Sequence, residues 1–130
     1  MIRKILHAVR RENASQIVYD RYMTADDVLG TKVSPWEIIF PQGLKLLYLP
    51  FSEIQWAYIR TQAHRVTLGC CAGDLEEHWI VLVGRDGNAT SVPFDRLSHA
   101  EAAMNLIREA APHIVIGYTA ENRTRFESAV

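Results

Sequence analysis

Residues 78–107 read HWIVLVGRDGNATSVPFDRLSHAEAAMNLI, and this stretch decides the fold. Trp79 to Val83 is apolar at every position, the pattern of a strand covered on both faces. Asp86-Gly87-Asn88 follows, and its Asp-Gly step accepts the positive φ angles of a tight hairpin turn. Residues 89–94 return as a second strand. Pro93 has no N–H to give a ladder, so that strand frays or lies at an edge. Ser98-His99-Ala100-Glu101 has the spacing of a capping box, with Ser98 accepting from the backbone at Glu101 and Glu101 reaching back. Ala100, Ala103, Met104 and Ile107 form the apolar stripe of a helix over 98–111, which Pro112 stops. An antiparallel hairpin followed by an amphipathic helix points to an α+β domain.

Upstream, between residues 17 and 94, helical periodicity gives way to short runs rich in Val, Ile, Tyr, Trp and Phe. Seven strands are predicted, at 17–23, 36–40, 44–49, 54–61, 65–71, 78–84 and 89–94, with Pro41-Gln42-Gly43 joining the second and third. Strand 54–61 sets Ile54, Trp56 and Tyr58 on one face. Residues 2–12 place Ile2, Ile5, Leu6 and Val9 at helical spacing, with Arg3, Lys4, Arg10 and Arg11 outside the stripe, so an amphipathic helix is predicted over 1–14. A C-terminal extension, 113–130, carries Ile114-Val115-Ile116, then Gly117-Tyr118-Thr119 and one or two helical turns containing Phe126. With no linker, repeat or low-complexity segment, residues 1–130 read as one domain.

The chain has 130 residues, 48% apolar and 22% charged, with 14 basic side chains against 15 acidic. That balance supplies no overall field for nucleic acid or anionic lipid. It conceals a polarity, because four basic groups and no acid fall in residues 1–11, leaving ten basic and 15 acidic groups beyond them. No apolar run approaches the 20 or so residues of a membrane span. His7, Arg10 and Arg11 interrupt any secretory core after Arg3-Lys4, so a cytoplasmic protein is expected. The triplets at Asn13, Asn88 and Asn122 then carry no glycan.

Leu49-Pro50-Phe51-Ser52-Glu53-Ile54-Gln55-Trp56-Ala57-Tyr58 resembles the Pro-aromatic-x-x-Ile turn entering a strand in uncharacterised bacterial pleckstrin-homology-like (PH-like) domains. The Asp86-Gly87 hairpin, the helix after it and the Gly117-Tyr118-Thr119 step are similar to the same families, over roughly residues 17–126. The resemblance implies a seven-stranded, bent, partly open barrel capped by a C-terminal helix, and no assigned activity. Phosphoinositide-binding relatives of that fold use a basic cluster at the first hairpin. Thr24 to Lys32 offers one lysine against Asp26 and Asp27, whereas phosphate recognition needs convergent cations, so headgroup binding there is disfavoured.

Candidate chemistry is sparse. Cys70 and Cys71 form a nucleophile only if a neighbour lowers a thiol pKa, and free cysteines are more often buried structure. His7, His64, His78, His99 and His113 lack the close spacings of metal ligands. Asp95, Ser98 and His99 have the residue types of a hydrolase triad but sit together at a helix start, without a nucleophile elbow. Asp74, Glu76 and Glu77 lack the alternating ligands and glycine of a calcium loop. Trp36, Trp56 and Trp79 read mainly as core, with Trp56 the one expected to be partly exposed. The expectation is a non-enzymatic module without metal or cofactor, binding a protein partner or itself, with no nucleic acid and no identified small-molecule substrate. Arg3, Lys4, Arg10, Arg11 and Trp56 are its candidate surface contacts. A peripheral membrane adaptor using the basic helix is the alternative, and a cysteine enzyme the third reading.

Overall fold

The computed structural model describes residues 3–4, 23–28, 30–42, 45–68 and 71–127. Along the chain lie β1 (Arg3–Lys4), β2 (Asp26–Val28), β3 (Thr31–Val33), β4 (Glu37–Gln42), β5 (Lys45–Pro50), a 3-10 turn (Phe51–Glu53), β6 (Ile54–Leu68), β7 (Cys71–Gly84), β8 (Ala89–Phe94), α1 (Leu97–Ala110), β9 (Val115–Ile116) and α2 (Ala120–Glu127). They build an α+β structure of two sheets. The first has the order β1-β5-β4-β3-β2 and the second β8-β7-β6-β9. Every pairing is antiparallel except β6 with β9. No ladder joins the sheets among the described residues, so they do not close a barrel.

One core lies between them. Ile38, Phe40 and Leu49 of the first sheet meet Ile80, Leu82 and Val92 of the second. The predicted stripe of α1, Ala100, Ala103, Met104 and Ile107, is buried against this core. Two of its four members are alanines, which lets the helix approach the strands closely. Ile80 and Leu82 face this core while Val81 and Val83 join a second cluster with Trp56 on the other side of the sheet. The unbroken apolar run from Trp79 thus has the two-sided cover its pattern implies.

Several boundaries differ from the sequence reading. The strands predicted at 54–61, 65–71 and 78–84 are two, because β6 runs 15 residues and β7 14, paired from Ile54↔Gly84 to Leu68↔Cys71. β2 and β3 replace a predicted loop. Their turn is fixed by Gly30, at φ 94°, whose N–H donates to Asp27 Oδ1 at 2.7 Å. Of the predicted strand 17–23 only Met23 is described, and it is helical. The predicted helix 1–14 is contradicted at Arg3 and Lys4, which pair with Tyr48 and Leu47 as a strand, and its other residues lie outside the described ones. Pro41 and Gln42, read as a turn, are paired with Leu46 and Lys45.

Pro93 does lie in an edge strand, opposite Trp79, and pairing continues to Phe94. Helix α1 begins one residue before the predicted cap. Its N-cap is Arg96, with no side-chain capping bond, so Ser98 stands inside the first turn. Ile54 and Trp56 do not share a face. A bulge between them sends Ile54 to the main core and Trp56 to the outer cluster, as expected when one strand gains an unpaired residue.

Candidate interaction surface

The β6–β7 hairpin outgrows the sheet it belongs to. Strand β8 pairs with β7 only from His78 to Val83, and β9 with β6 only at Trp56 and Ala57. Beyond them, the pairs from Gln62↔Glu77 to Leu68↔Cys71 form a two-stranded arm. Seven residues at about 3.4 Å each carry it roughly 24 Å from the body. No described element pairs with its outer edges. Thr61, Gln62, Ala63, Gly73, Leu75 and Glu76 are exposed, with Leu75 at 49%. An isolated two-stranded ribbon is at best marginally stable in water, and an unpaired strand edge is a template for another strand.

Charge is partitioned along the arm. The free edge of β6, Tyr58 to Leu68, holds Arg60, His64 and Arg65 and no acid, while Cys71 to Glu77 of β7 holds Asp74, Glu76 and Glu77 and no base. Arg65 stands opposite Asp74 in the ladder. At the arm's root, Thr61 Oγ1 lies 2.9 Å from His78 Nδ1, Glu76 Oε2 lies 3.6 Å from His78 Nε2, and Arg60 covers the Trp79 ring at 4.7 Å.

The C-terminal extension covers the outer face of β6. Trp56 is 1% exposed, not partly exposed as its sequence suggested. Its Nε1 donates to Gly117 O at 2.8 Å, and its ring stacks with Phe126 at 5.3 Å and Tyr118 at 5.8 Å. Gly117 makes this contact at φ 113°, a left-handed backbone that glycine adopts freely. Gly117 O also accepts from Asn122 Nδ2, and Gly117 N donates to Ala57 O. Tyr58 packs at 4.6 Å from Trp56 and 4.7 Å from Tyr118. Burial raises its phenol pKa, as do Tyr118 and Glu127 nearby, with Arg60 opposing.

Trp36, read as core, is instead 53% exposed. It follows Pro35 in the β3–β4 turn, where Ser34 Oγ accepts the N–H groups of Trp36 and Glu37 and also hydrogen-bonds the buried Glu37 carboxylate. That turn aims the indole outward beside an open cleft of about 450 Å³, lined also by Tyr48, Pro50, Phe51 and His113. His113 Nε2 donates to Phe51 O at 2.8 Å, fixing the cleft wall.

The remaining candidates do not converge. Cys71 ends the arm at the start of β7, and Cys70, His7, Arg10 and Arg11 lie outside the described residues. Asp95 and His99 do meet, at 2.7 Å across the first turn of α1, and that hydrogen bond holds the Asp95 carboxyl below its usual range. Asp86 is likewise lowered, chiefly by the N–H of Asn88 at 3.0 Å, which braces the β7–β8 turn. No three His, Cys, Asp or Glu side chains gather as a metal site among the described residues. No helix among them is long and apolar enough to cross a membrane. Sequence reasoning placed a strand at 65–71 but missed the continuous arm, because Gln62, Ala63, Gly73, Leu75 and Glu76 are exposed and no core imposes a period on them; one further signal was the separation of basic from acidic residues across Gly69.

A family model described as a domain of unknown function (DUF6709) matches residues 1–126, and the chain belongs to that family. No curated protein and no solved structure matches it.

Proposed function

We propose that this DUF6709 member is a non-catalytic protein-binding or self-assembly module that works through the β6–β7 arm. The arm is the observation that carries the reading. It extends seven ladder pairs past β8, leaves both edges without a described strand and exposes Leu75. Strand addition is a general mode of protein recognition in which main-chain bonds give affinity. Edge β6 already accepts β9 at its base. A PH-like architecture is part of the proposal. Its support is the order of a four-strand antiparallel meander, β2 to β5, then a three-strand meander, β6 to β8, then α1. A bacterial cytoplasmic setting, with no cofactor and no nucleic acid, completes it. The membrane alternative loses support at Arg3 and Lys4, whose backbone is committed to β5.

Proximity crosslinking in the native cell tests the module. Wild-type protein is compared with a variant in which Ala63–Glu76 is replaced by Asn-Gly, a turn suited to a short hairpin. The reading predicts adducts that disappear with the arm while the melting transition is retained. Identical adducts from both forms would overturn it.

A further inference from the structure

We infer that the occupant of the arm's β6 edge is an extended acidic segment of a partner protein, added antiparallel to β6 as one more strand beyond β9. This rests on the arm being the contact surface and adds which edge is used and the chemistry of what it takes.

The main chain defines the slot. Gly117 N donates to Ala57 O, so Ala57 turns its peptide groups away from β7. The ladder keeps one register from Trp56↔Val83 to Leu68↔Cys71. By the two-residue period of a strand, Ile59, Thr61, Ala63, Arg65 and Thr67 then turn their peptide groups the same way. Strand β9 takes only the start of this row. Its pairing stops at Ile116, and Gly117, at φ 113°, carries the chain over Trp56. From Ile59 onward the row has no described strand beside it, and an added strand satisfies such alternating donors and acceptors along its whole length. Thr61 and Ala63, at the middle of the row, are exposed.

Charge selects the strand. Tyr58, Arg60, Gln62 and His64 share the face of β6 that carries Trp56. Across the ladder Arg60 stands opposite Trp79 and His64 opposite Leu75, neither of them an acid. Arg60 is exposed, and its guanidinium lies 4.7 Å from the centroid of the Trp79 ring, which positions the cation without neutralising it. Opposite charges side by side stabilise a ladder and like charges destabilise it. The edge therefore rejects a basic segment and a second β6 alike, and favours a strand with two acids four residues apart, opposite Arg60 and His64. Asp74, Glu76 and Glu77 do not oppose that strand directly, because they lie on β7, with β6 between. Nucleic acid brings anions but no main chain to complete the row, and a duplex broad enough to overlie both strands meets the acids of β7 as well.

Fluorescence anisotropy on the full chain tests this with a labelled peptide, Thr-Glu-Val-Thr-Val-Glu-Val-Thr, against the same peptide with Lys in place of both Glu. The Glu peptide should bind saturably below about 1 mM, about tenfold or more tighter than the Lys peptide, and more weakly as salt rises from about 0.05 to 0.5 M. Arg60→Glu should reverse the preference. N-methylation of the peptide's valines, which in antiparallel pairing removes the donors facing β6, should abolish binding. So should Ala63→Pro, which deletes an outward N–H but takes no bond from the β6–β7 ladder, so that the melting transition stays in place. An equal or stronger response to the Lys peptide, binding that survives N-methylation, or no binding overturns the inference. A second copy that holds the edge against the Glu peptide in sedimentation velocity overturns it too. If the Glu peptide fails while arm-dependent adducts persist in the cell, only the acidic partner is refuted; if those adducts are absent, the wider reading falls as well.

Discussion

Replacing Trp56 with alanine should be among the most damaging single changes outside the main core. The ring is 1% exposed and lies between β6 and the C-terminal extension, stacked on Phe126 and Tyr118. Burial of an aromatic side chain removes 150–250 Å² from water, which at about 25 cal/mol/Å² gives an upper figure near 4–6 kcal/mol. Large-to-small substitutions of buried aromatics cost about 3–5 kcal/mol, so the two routes agree. Little of the loss comes from an orphaned acceptor, because Gly117 O keeps its bond from Asn122 Nδ2. Trp56→Phe, which deletes the indole N–H and part of the ring, should cost only about 1–2 kcal/mol. Phe126→Ala should cost a similar amount, since Phe126 is half-buried. The double variant Trp56→Ala, Phe126→Ala should lose about 1 kcal/mol less than the sum, because the stacked pair is counted twice in the single variants. Urea unfolding followed by far-UV circular dichroism measures all four without depending on indole fluorescence. A Trp56→Ala loss below about 1 kcal/mol, or strict additivity with Phe126→Ala, would refute the role assigned to the C-terminal cover.

Three further outcomes follow from local geometry. Gly84→Ala sets a Cβ 2.7 Å from Asp86 Oδ1 and 3.3 Å from Glu53 O; with Asp86 held by Asn88, the variant should lose about 1–3 kcal/mol in thermal unfolding. Asp86 and Asp95 have lowered pKa values, so each stabilises the fold above the ordinary carboxylate pKa and ceases to as pH falls through its folded value. The melting-temperature gap between wild type and Asp86→Asn should therefore be full above about pH 5 and narrow as pH falls below about pH 4. Tyr58, with its raised pKa, stabilises the fold below about pH 10 and stops doing so as pH rises through its folded value. Absorbance titration should place its midpoint above the ordinary phenol value, and Tyr118→Phe should lower it.

The parts of the fold legible in the sequence are those where burial imposes a period. Ala100, Ala103, Met104 and Ile107 were readable because one helix face meets one core, and Trp79 to Val83 because both strand faces are covered. Gly87, at φ 87°, made the β7–β8 turn visible for the reason Asp-Gly steps generally do. The arm failed the same test. Gln62-Ala63-His64 looks like a break between strands because it interrupts the run of β-branched and aromatic residues, and the structure leaves Gln62 and Ala63 exposed, with no core to impose a period there. The two tryptophan misjudgements share a cause. Which side Trp56 takes is set by the bulge after Ile54, and Trp36 is turned outward by the Ser34 turn, and neither backbone event leaves a mark in hydrophobic pattern. Ser98 shows a capping signal overruled by a helix that starts one residue earlier.

Amide hydrogen exchange resolved by NMR, at low and high concentration of the Glu peptide, tests most directly whether the arm's β6 edge is a contact surface. In a free ribbon, alternate N–H groups from Tyr58 to Leu68 bond to β7 while the intervening ones point to solvent. The account predicts that these outward amides gain protection as the peptide concentration rises, while the amides of the covered strand Ile80 to Val83 do not change. Protection unchanged along Tyr58 to Leu68, or gained instead on β7, would contradict it.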